Sequence, residues 1–260
     1  MNLLAALAAA AALATPAGYV EAQQRADGGF GDAQITAWAT LGLAAAGAEP
    51  DVLRRAAVYL AQQEPEQTTD VALAAMARTV AGDKPDALLA RLRAHRAEKL
   101  VNATIWAILA LRQAGEQAPP ALVHALLDAQ RPSGGWPWLV GGAADANDTA
   151  AAIQALRAAG VGGRPIDRAV AFLRRHQNRD GGFELTDGRG SDVQSTAWAI
   201  QGLLAAGRAP GAAAYAYLAR MRRPDGSYRY SARYVTTPLW VTAQVLPALA
   251  RKPFPLRPPA

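Results

Sequence analysis

Gln24-Arg25-Ala26-Asp27-Gly28-Gly29-Phe30, Gln130-Arg131-Pro132-Ser133-Gly134-Gly135-Trp136 and Gln177-Asn178-Arg179-Asp180-Gly181-Gly182-Phe183 share one spelling, Gln-x-x-x-Gly-Gly-aromatic. A degenerate copy follows at Arg222-Arg223-Pro224-Asp225-Gly226-Ser227-Tyr228. Behind each copy lies an Ala-rich apolar segment. Such internal repetition marks an architecture built by stacking one supersecondary unit, and it is read before any local motif.

The apolar segments align at Thr36, Val71, Thr104, Thr149, Thr196 and Thr242, with spacings of 35, 33, 45, 47 and 46 residues. Eleven positions on, the first five carry Gly47, Gly82, Gly115, Gly160 and Gly207, where a left-handed helix stop is expected. The sixth carries Pro253, which also ends a helix. Within a segment the recurrent positions, as in Thr149, Ile153, Leu156 and Gly160, follow the helical period. Flanking positions such as Ala150, Ala151 and Ala152 are small and apolar, so these helices are expected to be buried nearly all round.

Between them lie amphipathic stretches: 51–63, 84–95, 120–130, 165–177 and 210–222, with 16–24 as a short first member. In Ile166–His176 the apolar residues fall on one side and Arg168, Arg174 and Arg175 on the other. Pro50, Pro85, Pro120 and Pro165 stand near the starts, where a missing N–H costs little. Six amphipathic helices alternating with six buried ones predict an all-α, (α/α)6 toroid of helical hairpins. An open solenoid is the rival, but its concave helices normally keep a polar face. The domain reading is 1–14 as a signal peptide or N-terminal helix, 15–252 as one toroid, and 253–260 as a Pro-rich tail.

Composition narrows the function. At 260 residues and 51% hydrophobic content, one domain with a large core is expected. The net charge of +6 comes with 24 Arg and 3 Lys dispersed over the outer helices, without a basic run, so no nucleic-acid partner is expected. No cysteine is present, which removes disulfides, thiolate metal sites and cysteine nucleophiles. The histidines His95, His124 and His176 read as surface or helix-end residues without ligand partners, so no metal and no cofactor is expected. Strand signals are confined to 226–235, where alternating Tyr228, Tyr230 and Tyr234 suggest a hairpin. Leu3–Ala14 is too short to span a bilayer. With Ala12-Leu13-Ala14 as a small-x-small cleavage pattern it favours export, although no basic residue precedes it.

With these repeats laid out, the chain resembles the terpenoid cyclase and protein prenyltransferase β-subunit superfamily over residues 16–250. The phrases at 24–30, 130–136 and 177–183 resemble the "QW" repeats of squalene and hopene cyclases. The resemblance implies a closed toroid in which Gln and aromatic tie outer helices together, a scaffolding role. Hopene-type cyclases carry Asp-x-Asp-Asp-Thr-Ala at an inner-helix start, the middle acid protonating the isoprenoid. Here the stretch reads Asp145-Ala146-Asn147-Asp148-Thr149-Ala150. Asn147 stands in the donor's place, and an amide cannot protonate an alkene.

Asp32-Ala33-Gln34-Ile35-Thr36 and Asp192-Val193-Gln194-Ser195-Thr196 repeat the same pattern, so helix capping is the preferred role of both Asp145 and Asp148, although only Asp148 is peculiar to its copy. The family's zinc needs a cysteine that this chain lacks, and the Asp-Asp-x-x-Asp motif of class I synthases is absent.

The candidate rim or cavity residues are Asp32, Asp145, Asn147, Asp148, Asp192, Trp136 and Trp138, with the loop 139–144. Trp38, Trp106 and Trp198 recur two residues into inner helices one, three and five; packing between the helical layers is the preferred reading for them, lumen lining the other. The functional expectation is an exported toroid without cyclase activity that binds an apolar, isoprenoid-like small molecule, a glycan or a protein. The alternatives are a class II terpene cyclase-like isomerase working through Asp148, with Asp145 beside it, and an (α/α)6 carbohydrate-active enzyme using two facing carboxylates.

Overall fold

The computed structural model describes residues 15–97 and 99–256. Among these, twelve helices run as six hairpins. The outer series is α1 (Pro16–Glu21), α3 (Pro50–Ala61), α5 (Asp86–Arg93), α7 (Pro120–Asp128), α9 (Arg164–Arg175) and α11 (Ala212–Met221). The inner series is α2 (Ala33–Ala46), α4 (Thr68–Val80), α6 (Val101–Gln113), α8 (Ala146–Ala158), α10 (Val193–Ala205) and α12 (Pro238–Leu249). Each inner helix packs on the next, and α12 returns to α2. The ring is closed, and the fold is an all-α, (α/α)6 toroid.

Local sequence explains the regularity. The glycines that end the first five inner segments all take the left-handed conformation, with φ between 68 and 86°. In the sixth the helix ends at Leu249, and Arg251 at φ 55° supplies that conformation ahead of Pro253. Asp32, Asp145 and Asp192 are N-caps, accepting from the backbone N–H of Ile35, Asp148 and Ser195 at 2.8, 2.8 and 2.7 Å. Small residues let inner helices close up: a Cβ on Gly42 would lie 2.3 Å from the Ala243 carbonyl oxygen.

The Gln-x-x-x-Gly-Gly-aromatic turn is a stitch between three elements. Gln130 donates from Nε2 to the Gly134 carbonyl of its own turn and to Pro165 of α9, both at 2.8 Å. Gln24 does the same with Gly28 at 3.0 Å and Val52 at 2.9 Å. Gly134 sits at φ 96°, and a Cβ there would meet the Arg168 carbonyl oxygen at 2.6 Å, so the turn and the next outer helix both require glycine.

The aromatic ring is buried, and its backbone N–H donates to the aligned threonine. Phe30 pairs with Thr36 at 3.0 Å, and Trp136 with Thr149, Phe183 with Thr196 and Tyr228 with Thr242 at 2.9 Å. That bond is the reason for threonine at the start of those inner segments.

Three expectations are corrected here. Residues 226–235 form no hairpin: Tyr228 turns inward to Thr242 and makes only an isolated bridge with Arg222, because the chain before it is α11 and offers no partner strand. The two-stranded sheet lies elsewhere, β1 (Trp136–Pro137) against β2 (Ala144–Asp145), with Trp136 opposite Asp145. His176 caps the C-terminal end of α9, a helix-end place as expected, but it is buried rather than superficial. It stacks on Phe172 at 4.3 Å between ring centroids, with Nδ1 3.0 Å from the Phe172 carbonyl oxygen and Nε2 3.3 Å from Asp187.

Finally, within the expected Pro-rich tail 253–260, of which 257–260 lie outside the described residues, residues 253–256 are packed, since Phe254 and Leu256 are buried in the core. Their backbone N–H groups donate to Gln154 at 2.7 Å and Gln113 at 2.9 Å. The candidate signal segment 1–14 lies outside the described residues. No helix among them is long and apolar enough to cross a membrane.

Candidate functional site

Every inner helix turns two residues toward the axis, four apart and hence on one face. Counted from the aligned Thr or Val, the residues two before it are Gln34, Thr69, Asn102, Asn147, Gln194 and Trp240. The residues two after it are Trp38, Leu73, Trp106, Ala151, Trp198 and Gln244. All twelve line a single cavity of about 370 Å³ at the inner-helix N-termini, with Trp138, Asp145, Asp148 and Leu185 completing its wall. The toroid thus presents two six-membered rings to the axis, an upper one mainly of neutral polar side chains and a lower one mainly apolar.

The lower ring closes the lumen. Trp38, Trp106 and Trp198, from alternate helices, meet edge to face with centroids 5.3, 5.6 and 5.7 Å apart and planes at 82–84°. Phe254 packs against all three at 6.1–6.3 Å. The expectation that these tryptophans pack between helical layers is therefore corrected: they face the axis, where large rings from every second helix fill a space too wide for smaller side chains. The cavity above them is shallow and floored by aromatic surface.

The upper ring is tied into a hydrogen-bond network. Thr69 reaches Asn102 at 3.2 Å, and Asn102 donates from Nδ2 to Asp148 at 2.6 Å. Gln34 donates to Asp70 at 3.2 Å. Gln194 and the Trp198 indole N–H both donate to Gln244 Oε1 at 3.0 Å. Two polar atoms of the ring are buried without a partner among the described residues: Asn147 Oδ1 and Trp240 Nε1.

Asp148 is 7% exposed, and its backbone N–H donates to the Asp145 carboxyl at 2.8 Å. Burial pushes the Asp148 carboxyl well above the usual carboxylate range. The charge of Asp145 adds to the rise, and the Asn102 hydrogen bond opposes it. Asp145 is also raised by burial, against the bond it accepts from the Asp148 N–H. The pair holds a proton more firmly than either acid would in water, beside an aromatic floor.

Of the residues expected at the site, Asp145, Asn147, Asp148, Trp38, Trp106, Trp138 and Trp198 line the cavity. The other three do not. Asp32 is an exposed helix cap. Asp192 is buried, but it is occupied by the Ser195 backbone N–H and hydroxyl. Trp136 is fully buried with its indole N–H on the Leu126 carbonyl at 2.6 Å, so it belongs to the scaffold.

Sequence reasoning missed Thr69, Leu73, Asn102, Ala151, Leu185, Trp240 and Gln244, and it read Gln34 and Gln194 only as members of a repeat. The regular placement of Trp38, Trp106 and Trp198 was the available signal: the same aligned column, and the column one turn earlier, contain all but Leu185. The loop bearing Trp138, which is 54% exposed, overhangs the mouth and is pinned where Val140 N–H donates to the Lys99 carbonyl at 2.8 Å. Among the described residues no cluster of three His, Asp or Glu is placed to hold a metal ion.

No family model matches the sequence. None of the curated proteins matches it either. The fold, in contrast, is shared with solved structures over nearly the whole chain. A protein from Actinoplanes is similar at 18% identity and a TM-score of 0.68, over 94% of this chain and 99% of that one. A variant of the type II terpene cyclase MstE from Scytonema, solved with geranylgeranyl dihydroxybenzoate as substrate, is similar at 17% identity and a TM-score of 0.67, over 96% and 99%. A glycosidase in complex with glucose is similar at 14% identity and a TM-score of 0.61, over 93% and 97%. At these identities the likeness establishes the terpenoid cyclase-like toroid fold.

Proposed function

We propose that the protein is a toroidal receptor for an uncharged small molecule with an apolar, isoprenoid-like body, held in the axial cavity without being cyclised. The observation that carries this reading is the pair of six-residue rings: aromatic surface at the floor, neutral hydrogen-bonding groups above it. Shape supports it, because concave sites lined by aromatic side chains and a few convergent polar groups are the usual form of ligand pockets. At an interior packing density of about 0.74 the 370 Å³ cavity accommodates roughly fifteen non-hydrogen atoms. The MstE structures add support, since a protein of similar fold was solved in complex with geranylgeranyl dihydroxybenzoate as substrate and merosterolic acid A as product.

The expected result with farnesol is a thermal shift. At a hundred times its Kd a ligand stabilises the folded state by about 2.7 kcal/mol. In a chain of this size that raises Tm by roughly 5–10 °C. No shift with farnesol at saturating concentration would sink this reading.

A second reading has its own observation. Asp148 faces the cavity and stays protonated to higher pH than an ordinary carboxylate, a precondition for an acid that protonates a double bond. Against it, Asn147 replaces the middle acid, and the tryptophan trio leaves no deep lumen in which a long polyene could fold. Product analysis decides: a cyclised product formed from farnesol or squalene by the native protein, and abolished by Asp148→Asn, would replace the receptor reading by the catalytic one.

Glycosidase chemistry is disfavoured, because it needs carboxyls about 5–9.5 Å apart across the ligand. Asp145 and Asp148 instead sit three residues apart on one helix end, the Asp148 backbone N–H bonded to the Asp145 carboxyl, while Asp32 and Asp192 lie off the cavity. Export of the chain rests on Leu3–Ala14 alone, and a mature N-terminus at Thr15 is the result expected from N-terminal sequencing.

A further inference from the structure

We infer that the upper ring selects the ligand by its head: the cavity takes a molecule whose polar end is an uncharged hydroxyl group and discriminates against the same molecule carrying a phosphate. This rests on the reading of the axial cavity as a ligand site. The sixteen residues that line it contain no Lys, Arg or His, and the only ionisable side chains among them are the two acids Asp145 and Asp148. A phosphate brought here would be stripped of water with no cation to replace it, beside carboxyl groups of the same sign. The competing influence is the partial positive charge of the six inner-helix N-termini around the mouth. Three of these ends are already occupied by the carboxylates of Asp32, Asp145 and Asp192.

The unpaired atoms of the ring carry the positive half of the inference. Asn147 Oδ1 is an acceptor and Trp240 Nε1 a donor, each buried without a partner among the described residues, while Gln34, Thr69, Asn102 and Gln194 are hydrogen-bonded to one another or to adjacent side chains. Burying a polar group unpaired is costly, so this ring is incomplete as it stands. A hydroxyl both donates and accepts, and so can answer to either atom. The two atoms are sealed from water in this conformation, so pairing them takes a small side-chain rotation. A hydroxyl head can belong to a prenyl alcohol or to a sugar, and the aromatic floor suits the apolar face of either.

The test is a set of Kd measurements by calorimetry on the full chain. The probes are farnesol, farnesyl diphosphate and the saturated hydrocarbon farnesane, with glucose and glucose 6-phosphate as a second matched pair. In whichever pair binds, the hydroxyl compound is expected to bind at least tenfold tighter than its phosphorylated partner, and farnesol tenfold tighter than farnesane. Trp240→Phe, which keeps the ring and removes the donor, is expected to weaken the hydroxyl ligand about fivefold and leave farnesane unchanged. A phosphorylated probe binding as tightly as its alcohol overturns the selection while leaving the receptor reading intact, as does equal binding of farnesol and farnesane. Binding of glucose but not farnesol upholds the selection and overturns the isoprenoid-like body. Silence from every probe overturns both.

Discussion

Thr196 uses one hydroxyl for two bonds. It accepts from the Phe183 backbone N–H at 2.9 Å and donates to the Asp192 carbonyl at 2.7 Å, joining turn to inner helix inside the core. Thr196→Val keeps the shape and leaves a buried N–H unpaired, so a loss of about 1–3 kcal/mol is expected in denaturant unfolding, with Thr196→Ser recovering much of it. At the cavity the residue that sets pH behaviour is Asp148. Its proton is held more tightly in the folded than in the unfolded chain. Its contribution to stability is therefore greatest at low pH and declines as pH rises from the ordinary carboxylate value of 3.8 through the raised folded one. Asp145 and Asp192 are raised too, so the quantity to measure is the difference between native protein and Asp148→Asn across pH. The asparagine variant is expected to be the more stable above that window and to gain nothing at acid pH. A difference that is constant with pH would contradict the burial argument.

At the scale of elements, the inner helices are positioned by their ends and the cavity by their faces. Acid caps and left-handed stops were legible in the sequence, because each is a single residue type at a fixed repeat position. The axial face was not. Gln34, Asn102 and Asn147 differ in residue type from Trp240 in the same column, and no alternation of polarity marks which side of an all-apolar helix meets the lumen. The closing segment was also hidden. Residues 253–256 read as a tail because Pro253 and Pro255 break helices, whereas burial of Phe254 under the tryptophan trio depends on a contact across the whole fold. Phe254→Ala is expected to cost about 3–5 kcal/mol. It should also shift tryptophan emission to the red, as Trp38, Trp106 and Trp198 lose their cover. Unchanged emission and Tm would show that the segment is not part of the floor.

For the whole molecule, repeat arithmetic sufficed to give the closed ring, since six buried helices that are apolar on nearly every side can be covered only by one another and by an outer layer. What the ring encloses required the structure. The same three tryptophans that stop the lumen make the floor of a shallow site, and this turns a likeness to cyclases into a different functional account. Its central claim is that the space between the tryptophan floor and the polar ring is where a small molecule sits. Five of the six tryptophans line that space, so intrinsic fluorescence reports on it directly. The deciding measurement is a farnesol titration of the native protein and of Ala151→Phe, whose added ring projects into the cavity. The account predicts saturable quenching for the native protein and none for the variant, with the two sharing the same far-UV circular dichroism. Quenching of equal amplitude and midpoint in both would place the ligand elsewhere and contradict it.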